Sequence, residues 1–77
     1  MMKITIEDID RIAKAAIEDG DFENIVSGSS FKDQGLDSLD KSTLFLAIND
    51  EYGVEIPDED FDSITSPDEL ITYLADK

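Results

Sequence analysis

The amino-acid sequence predicts an all-α fold: a small four-helix bundle of three longer helices and one short helix, with a long loop between the first and second helices. Three observations carry that prediction. Apolar residues recur at helical spacing in three separate segments. Each of those segments opens on a recognisable capping signal. No stretch alternates in the manner of a strand over a useful length, and there is no internal repeat or low-complexity tract.

The first helix is expected from about Thr5 to Asp19. Ile6, Ile9, Ile12, Ala13, Ala16 and Ile17 fall on one stripe at the spacing of an amphipathic helix. Thr5-Ile6-Glu7-Asp8 has the form of a capping box, with Asp8 in place of the usual Glu or Gln. Gly20 is the expected terminator. Residues 20–36 carry Ser27, Gly28, Ser29, Ser30 and Gly35 with little periodicity, and they read as a long loop. Phe22, Ile25, Val26 and Phe31 are expected to pin it to the core. A loop of that length in so small a chain is often functional.

The second helix is expected from Ser38 to Tyr52, with Asp37 as its N-cap. Projected around the helix, Leu44, Phe45, Ile48 and Tyr52 cluster on one side. Leu39 and Leu46 lie almost opposite, with Thr43 and Asp50 beside them. The chain is too short to cover both faces, so the projection implies one core face and one small exposed apolar strip that meets a partner. Lys41 projects toward the core side, and its ammonium is expected to snorkel outward. Gly53 ends the helix, Val54-Glu55-Ile56 is a short extended link, and Pro57 suits the start of a further turn. One or two turns between Asp58 and Ile64 turn Phe61 and Ile64 inward. Ser66-Pro67-Asp68-Glu69 is the sharpest local signal, combining an N-cap serine, a proline at the first helical position and a capping-box glutamate. The last helix then runs to about Ala75 and buries Leu70, Ile71 and Leu74.

Composition bounds the function. Seventy-seven residues make one domain, 1–77, near the low end of what folds without staples. The absence of cysteine leaves the core to packing alone and fits a reducing compartment. A net charge of −14 argues against nucleic acid and against an anionic membrane surface, and it favours a partner with a basic face. The same charge repels itself, so divalent cations should stabilise the fold. No apolar run approaches the ~20 residues of a membrane span, and Met1-Met2-Lys3 opens without the apolar stretch of a signal peptide. The expectation is a freestanding, monomeric, cytoplasmic protein.

Catalysis by the chain itself is not expected. With no histidine or cysteine, a Ser-His or Cys-His pair is impossible within it. The segment from Asp58 to Glu69 places Asp58, Asp60, Asp62 and Glu69 at four positions of a calcium loop. Ser63 replaces the turn glycine there, and Pro67 falls inside the loop. The plainer reading is two acidic helix starts, and no metal site is expected, but a calcium-binding EF-hand-like interaction module stands as an alternative of another class. Ser38 is the stronger candidate. A phosphate ester on its hydroxyl would sit at the positive end of a helix, near unpaired backbone N–H groups, where Gly35 lets the chain turn tightly. Taken alone, Asp-Ser-Leu at a helix start is an ordinary cap.

The wider stretch is more specific. Phe31-Lys32-Asp33-Gln34-Gly35-Leu36-Asp37-Ser38-Leu39-Asp40 resembles the prosthetic-group site of acyl carrier proteins. Glu51-Tyr52-Gly53-Val54-Glu55-Ile56-Pro57-Asp58-Glu59 resembles the segment between that family's second and third helices, and Ile64-Thr65-Ser66-Pro67 the start of its fourth. The resemblance runs in order over nearly the whole chain.

It implies a non-catalytic carrier. A phosphopantetheinyl transferase moves phosphopantetheine from coenzyme A to the family serine, here Ser38, flanked by Asp37 and Leu39. The arm ends in a thiol, so a chain without cysteine can carry thioesters. By position, Asp40, Leu46, Asp50 and Glu51 would meet acyl-loading and acyl-processing enzymes through their basic docking patches. Phe31, Leu44, Ile48, Phe61, Ile64 and Leu70 would line or border the space into which an acyl chain folds back. Fatty-acid, polyketide or related acyl biosynthesis is the implied setting, and a peptidyl or D-alanyl carrier the runner-up. The chain departs from housekeeping members in carrying Lys41 and Thr43 after Asp-Ser-Leu-Asp, Gln34 where leucine is common, and Phe61 where a small residue is frequent. These departures point to a specialised carrier with dedicated partners.

Overall fold

Thr5 opens the first helix as its sequence predicts. Its hydroxyl accepts the Asp8 N–H at 3.1 Å, and the Asp8 carboxylate accepts the Thr5 N–H at 3.1 Å. The capping box is therefore complete with aspartate as the reciprocal partner. In the computed structural model of the chain, residues 3–17 and 24–76 are described. They form α1 (Ile6–Ala16), α2 (Ser38–Tyr52), α3 (Asp58–Phe61) and α4 (Pro67–Ala75), with no strand among the described residues.

α1 is shorter than the apolar stripe suggests. Its helical backbone stops at Ala16, and Ile17 turns away at φ −105° and ψ 88° while its N–H still reaches the Ala13 carbonyl at 2.8 Å. The loop explains the early stop. The N–H of Ile25 is bonded to the Asp10 carboxylate in the middle of α1 at 2.8 Å, which sets residue 25 beside the helix rather than beyond its end. Each further helical residue would carry it about 1.5 Å the wrong way. The expected terminator Gly20 and the expected anchor Phe22 lie outside the described residues.

Asp37 caps α2 by accepting the Asp40 N–H at 2.8 Å, and Gly53 ends it in the left-handed region at φ 66°. Ser66 caps α4 by accepting the Glu69 N–H at 3.1 Å, with Pro67 at the first helical position. The Glu69 carboxylate reaches one residue further back than a standard capping box and takes the hydroxyl and N–H of Thr65 at 2.5 and 2.8 Å.

α2 packs against α1 and α3, and α1 against α4. Ile9, Leu44, Phe45, Ile48, Leu70 and Leu74 are fully buried where these helices meet. Leu36 and Ile56 join them from non-helical segments. The amide of Asn49 supports the second of these by accepting the Ile56 N–H at 3.2 Å. Three aromatic rings run through the core edge-on: Phe31 to Phe45 at 5.8 Å between centroids, and Phe45 to Phe61 at 5.0 Å.

The loop before α2 is pinned by the buried side chains of Ile25 and Phe31, as expected, and by bonds to its backbone. Val26 does not pin it with its side chain, which is 48% exposed. Its peptide groups do the work: the Gln34 amide accepts the Val26 N–H at 2.8 Å and donates to the Val26 carbonyl at 2.9 Å and the Ser29 carbonyl at 3.0 Å. Further along, Gly28 N–H donates to the Asp68 carboxylate at 2.8 Å and Phe31 N–H to the Thr65 carbonyl at 2.8 Å.

Candidate functional site

Ser38 is the first residue of α2, and its side chain is exposed. Its hydroxyl makes no hydrogen bond among the described residues. The approach to it is a tight series of turns. Leu36 N–H returns to the Phe31 carbonyl at 2.9 Å and Gly35 N–H to the Lys32 carbonyl at 3.1 Å, with Gly35 at φ 94°, a conformation that favours glycine. Because Phe31 and Leu36 are both buried, this knot is anchored at each end and delivers Asp37 and Ser38 to the surface in fixed register.

The cap then divides the first turn of α2. Asp37 occupies the N–H of Asp40 with its carboxylate and the N–H of Lys41 with its carbonyl, at 2.8 and 2.9 Å. The first N–H groups of the helix have no partner within it, and a helix start of this kind favours an anion. A phosphodiester on the Ser38 oxygen fits this donor set.

A cleft of about 450 Å³ opens beside the serine. Phe31 and Leu36 form its apolar wall, Lys32 and Lys41 its cationic one, and Asp37 and Thr65 complete the rim. Lys41, expected to snorkel outward, is half-buried and ends on backbone instead. Its ammonium donates to the Ile64 carbonyl at 3.2 Å and lies 6.0 Å from the centroid of the Phe45 ring.

The remaining sequence-derived residues divide into two groups. Leu39 and Leu46 are exposed, at 74% and 59%, on the face of α2 away from the core. Asp50 and Glu51 are also exposed, while Asp40 is half-buried. Glu51 is not a free charge, because Arg11 of α1 reaches it at 3.4 Å. Leu44, Ile48, Phe61, Ile64 and Leu70 are all buried in the core, and of the six residues expected around a folded-back chain only Phe31 borders the cleft at Ser38.

The calcium-loop alternative is corrected by the same structure. Asp58 to Phe61 is helix, not loop, and α4 begins at Pro67. Asp60 accepts the Tyr73 hydroxyl at 2.7 Å, and Glu69 is turned to Thr65. Among the described residues no group of three or more potential ligands is arranged to hold a metal ion. The Thr65 hydroxyl, then the Thr65 N–H, hold the Glu69 carboxyl below the usual glutamate range.

Sequence reasoning missed Leu36, Gln34 and Asp10 as parts of the site's support. Leu36 was legible as an apolar residue beside the serine. The other two act through long-range bonds to backbone, which leave no periodic trace.

Comparison with known proteins agrees with the geometry. Residues 6–74 match the family model described as phosphopantetheine attachment site. A protein of Dictyostelium discoideum named "Acyl carrier protein, mitochondrial" is 52% identical over 46 residues, which is 60% of this chain and 38% of that protein. "Acyl carrier protein 3, mitochondrial" of Arabidopsis thaliana is 49% identical over 43 residues, 56% of this chain and 33% of its own length. "Acyl carrier protein, mitochondrial" of Neurospora crassa is 44% identical over 55 residues, 70% and 41% respectively. The aligned stretches thus cover well under half of each relative. The match across 6–74 nevertheless takes in every described helix except the last residue of α4, and it places the chain in the phosphopantetheine attachment site family, with the acyl carrier proteins as its relatives.

Proposed function

We propose that the protein is an acyl carrier, modified on Ser38 and serving acyl biosynthesis. The observation that carries this reading is an exposed hydroxyl without partners at the first residue of α2, presented by the Phe31–Leu36 turns inside the matched family region. When attached, the prosthetic group supplies a thiol that holds an acyl group as a thioester. The chain's own contribution is to hold the attachment oxygen at the helix start, to offer N–H groups to the phosphodiester, and to present α2 to enzymes.

The chain is a substrate and partner of enzymes rather than a catalyst. The partners proposed are a phosphopantetheinyl transferase and acyl-loading and acyl-processing enzymes with basic faces, approaching over Leu39, Leu46, Asp40 and Asp50. Support comes from the exposure of that apolar strip and from the net charge of −14. The relatives' printed names favour acyl cargo over peptidyl or D-alanyl cargo. The same names call those relatives mitochondrial, so the mitochondrial matrix stands beside the cytoplasm as the compartment proposed. No helix among the described residues is long and apolar enough to cross a membrane.

The test is intact mass after incubation with coenzyme A and a promiscuous transferase. One added phosphopantetheine is expected on the wild-type chain and none on Ser38→Ala. An unmodified wild-type chain, or a modified Ser38→Ala, overturns the assignment.

A further inference from the structure

Two of the chain's six cations stand on the walls of one cleft, and neither is committed to a carboxylate among the described residues. The chain has 20 acidic residues to choose from. Arg11 and Lys14 on α1 use them: Arg11 pairs with Asp8 and Glu51, and Lys14 with Asp10. Lys32 and Lys41 form no ion pair among the described residues. Lys41 instead rests on a neutral acceptor, the Ile64 carbonyl at 3.2 Å.

The acids around the cleft are otherwise engaged. The Asp37 carboxylate accepts the Asp40 N–H, and Glu69, close enough for its charge to interact with Lys41, is bonded to Thr65. Phe31 and Leu36, both almost wholly buried, also border the cleft. At about 450 Å³ the space exceeds many times the roughly 30 Å³ of one water. Its chemistry suits a small group with an apolar stem and a negative end.

We propose that this cleft is a cargo subsite selecting acyl groups that carry an ionised carboxylate of their own, with the carboxylate on Lys41 and Lys32 and the methylene stem along the rest of the cleft. The inference rests on the carrier reading, because the cargo reaches the cleft from an arm on Ser38. A simple alkyl acyl group leaves both charges as they are. A carboxylated one lets Lys41 exchange a neutral carbonyl for a charge-assisted bond. Lysines already paired with acids would gain nothing by that exchange.

The experiment loads the chain from the coenzyme A thioesters of glutaric and pentanoic acids, which have the same number of carbons and differ in the terminal carboxylate. Intact mass confirms loading. The rate at which hydroxylamine releases each acyl group is then divided by its rate on free coenzyme A. In the wild-type chain the glutaryl group should be protected roughly two- to fivefold over the pentanoyl group, and added salt should reduce that ratio. Lys41→Met should abolish the difference, Lys32→Met should shrink it, and Lys41→Arg should restore it. If Lys41→Met does not fold, exposed Lys32 decides the matter alone. Equal protection of the two groups, or a preference that survives in the folded lysine variants, overturns the proposal. So does a melting shift that depends on Lys41 and is already complete with the bare arm, since the anion is then the phosphodiester. A chain that accepts no arm overturns the carrier reading together with this one. A fully loaded chain that does not discriminate overturns this one alone.

Discussion

α1 and α2 are both capped by an acidic or hydroxyl side chain and both pack against the core, yet they use their apolar residues differently. α1 keeps its apolar residues on one stripe, and its other face is closed by pairs: Arg11 with Asp8 and Glu51, Lys14 with Asp10. α2 buries Leu44, Phe45 and Ile48 on one side and leaves Leu39 and Leu46 in solvent on the other. Its acids Asp40 and Asp50 have no ion-pair partner among the described residues. α1 thus has no large apolar side chain in solvent among its described residues. A helix with apolar side chains and unpaired charge facing water is unfinished without a partner.

The largest contrast lies within α2. Ile48→Ala should cost about 2–5 kcal/mol of unfolding free energy, because it opens a cavity among fully buried neighbours. Leu46→Ala should stay within about 0.5 kcal/mol by chemical denaturation, while slowing transfer by enzymes that use the carrier. If the two substitutions destabilise alike, the outer strip is structural and the contrast with α1 fails.

The caps come next. Asp37→Ala and Thr5→Ala should each cost about 1 kcal/mol, measured by urea unfolding. They differ in a second readout: only the Asp37 variant, next to the attachment serine, should also slow arm attachment. Equal attachment rates in both variants would detach the cap from the site.

Unpaired charge predicts a response to divalent cations. Millimolar magnesium chloride should raise the melting midpoint by roughly 4 °C relative to sodium chloride of equal ionic strength. No rise would mean that carboxylate repulsion does not limit stability.

The smallest contrast concerns α4 and is read by acid. Glu69 has its folded-state pKa lowered by Thr65, so its contribution to stability is present above the ordinary glutamate value and is lost as pH falls through the lowered one. Glu69→Gln should be less stable than wild type near neutrality. The gap should start to close below about pH 4.3. Parallel pH–stability curves would remove that role from the carboxylate.

Much of this fold was legible in the chain because its signals are local. Thr5 with Asp8, Asp37, Gly53 and Ser66 with Pro67 each act on backbone a few residues away, so spacing alone exposes them. The two-sided character of α2 was equally plain from rotation by residue. The end of α1 was not, since the stripe continues through Ile17 while the Asp10–Ile25 bond sets residue 25 beside the helix. Val26 looked like an anchor because it is apolar, and the anchoring lies in its peptide groups. The projection placed Lys41 on the core side but sent its ammonium outward, because its acceptor on residue 64 lies 23 positions away and leaves no pattern to read. At the site, the serine and its cap were visible from their neighbours in sequence, whereas the cleft forms only when the loop, α2 and Thr65 come together.

The Gln34 side chain has a mechanical consequence. One primary amide serves both peptide groups of Val26 and the carbonyl of Ser29. Rotation of that one side chain therefore loosens residues 26 and 29 together, while the Ile25–Asp10, Gly28–Asp68 and Phe31–Thr65 bonds keep the rest of the loop in place. Because the Val26 N–H is the one backbone proton this amide holds, its exchange should quicken in Gln34→Ala while that of Ile25, held by Asp10, stays slow.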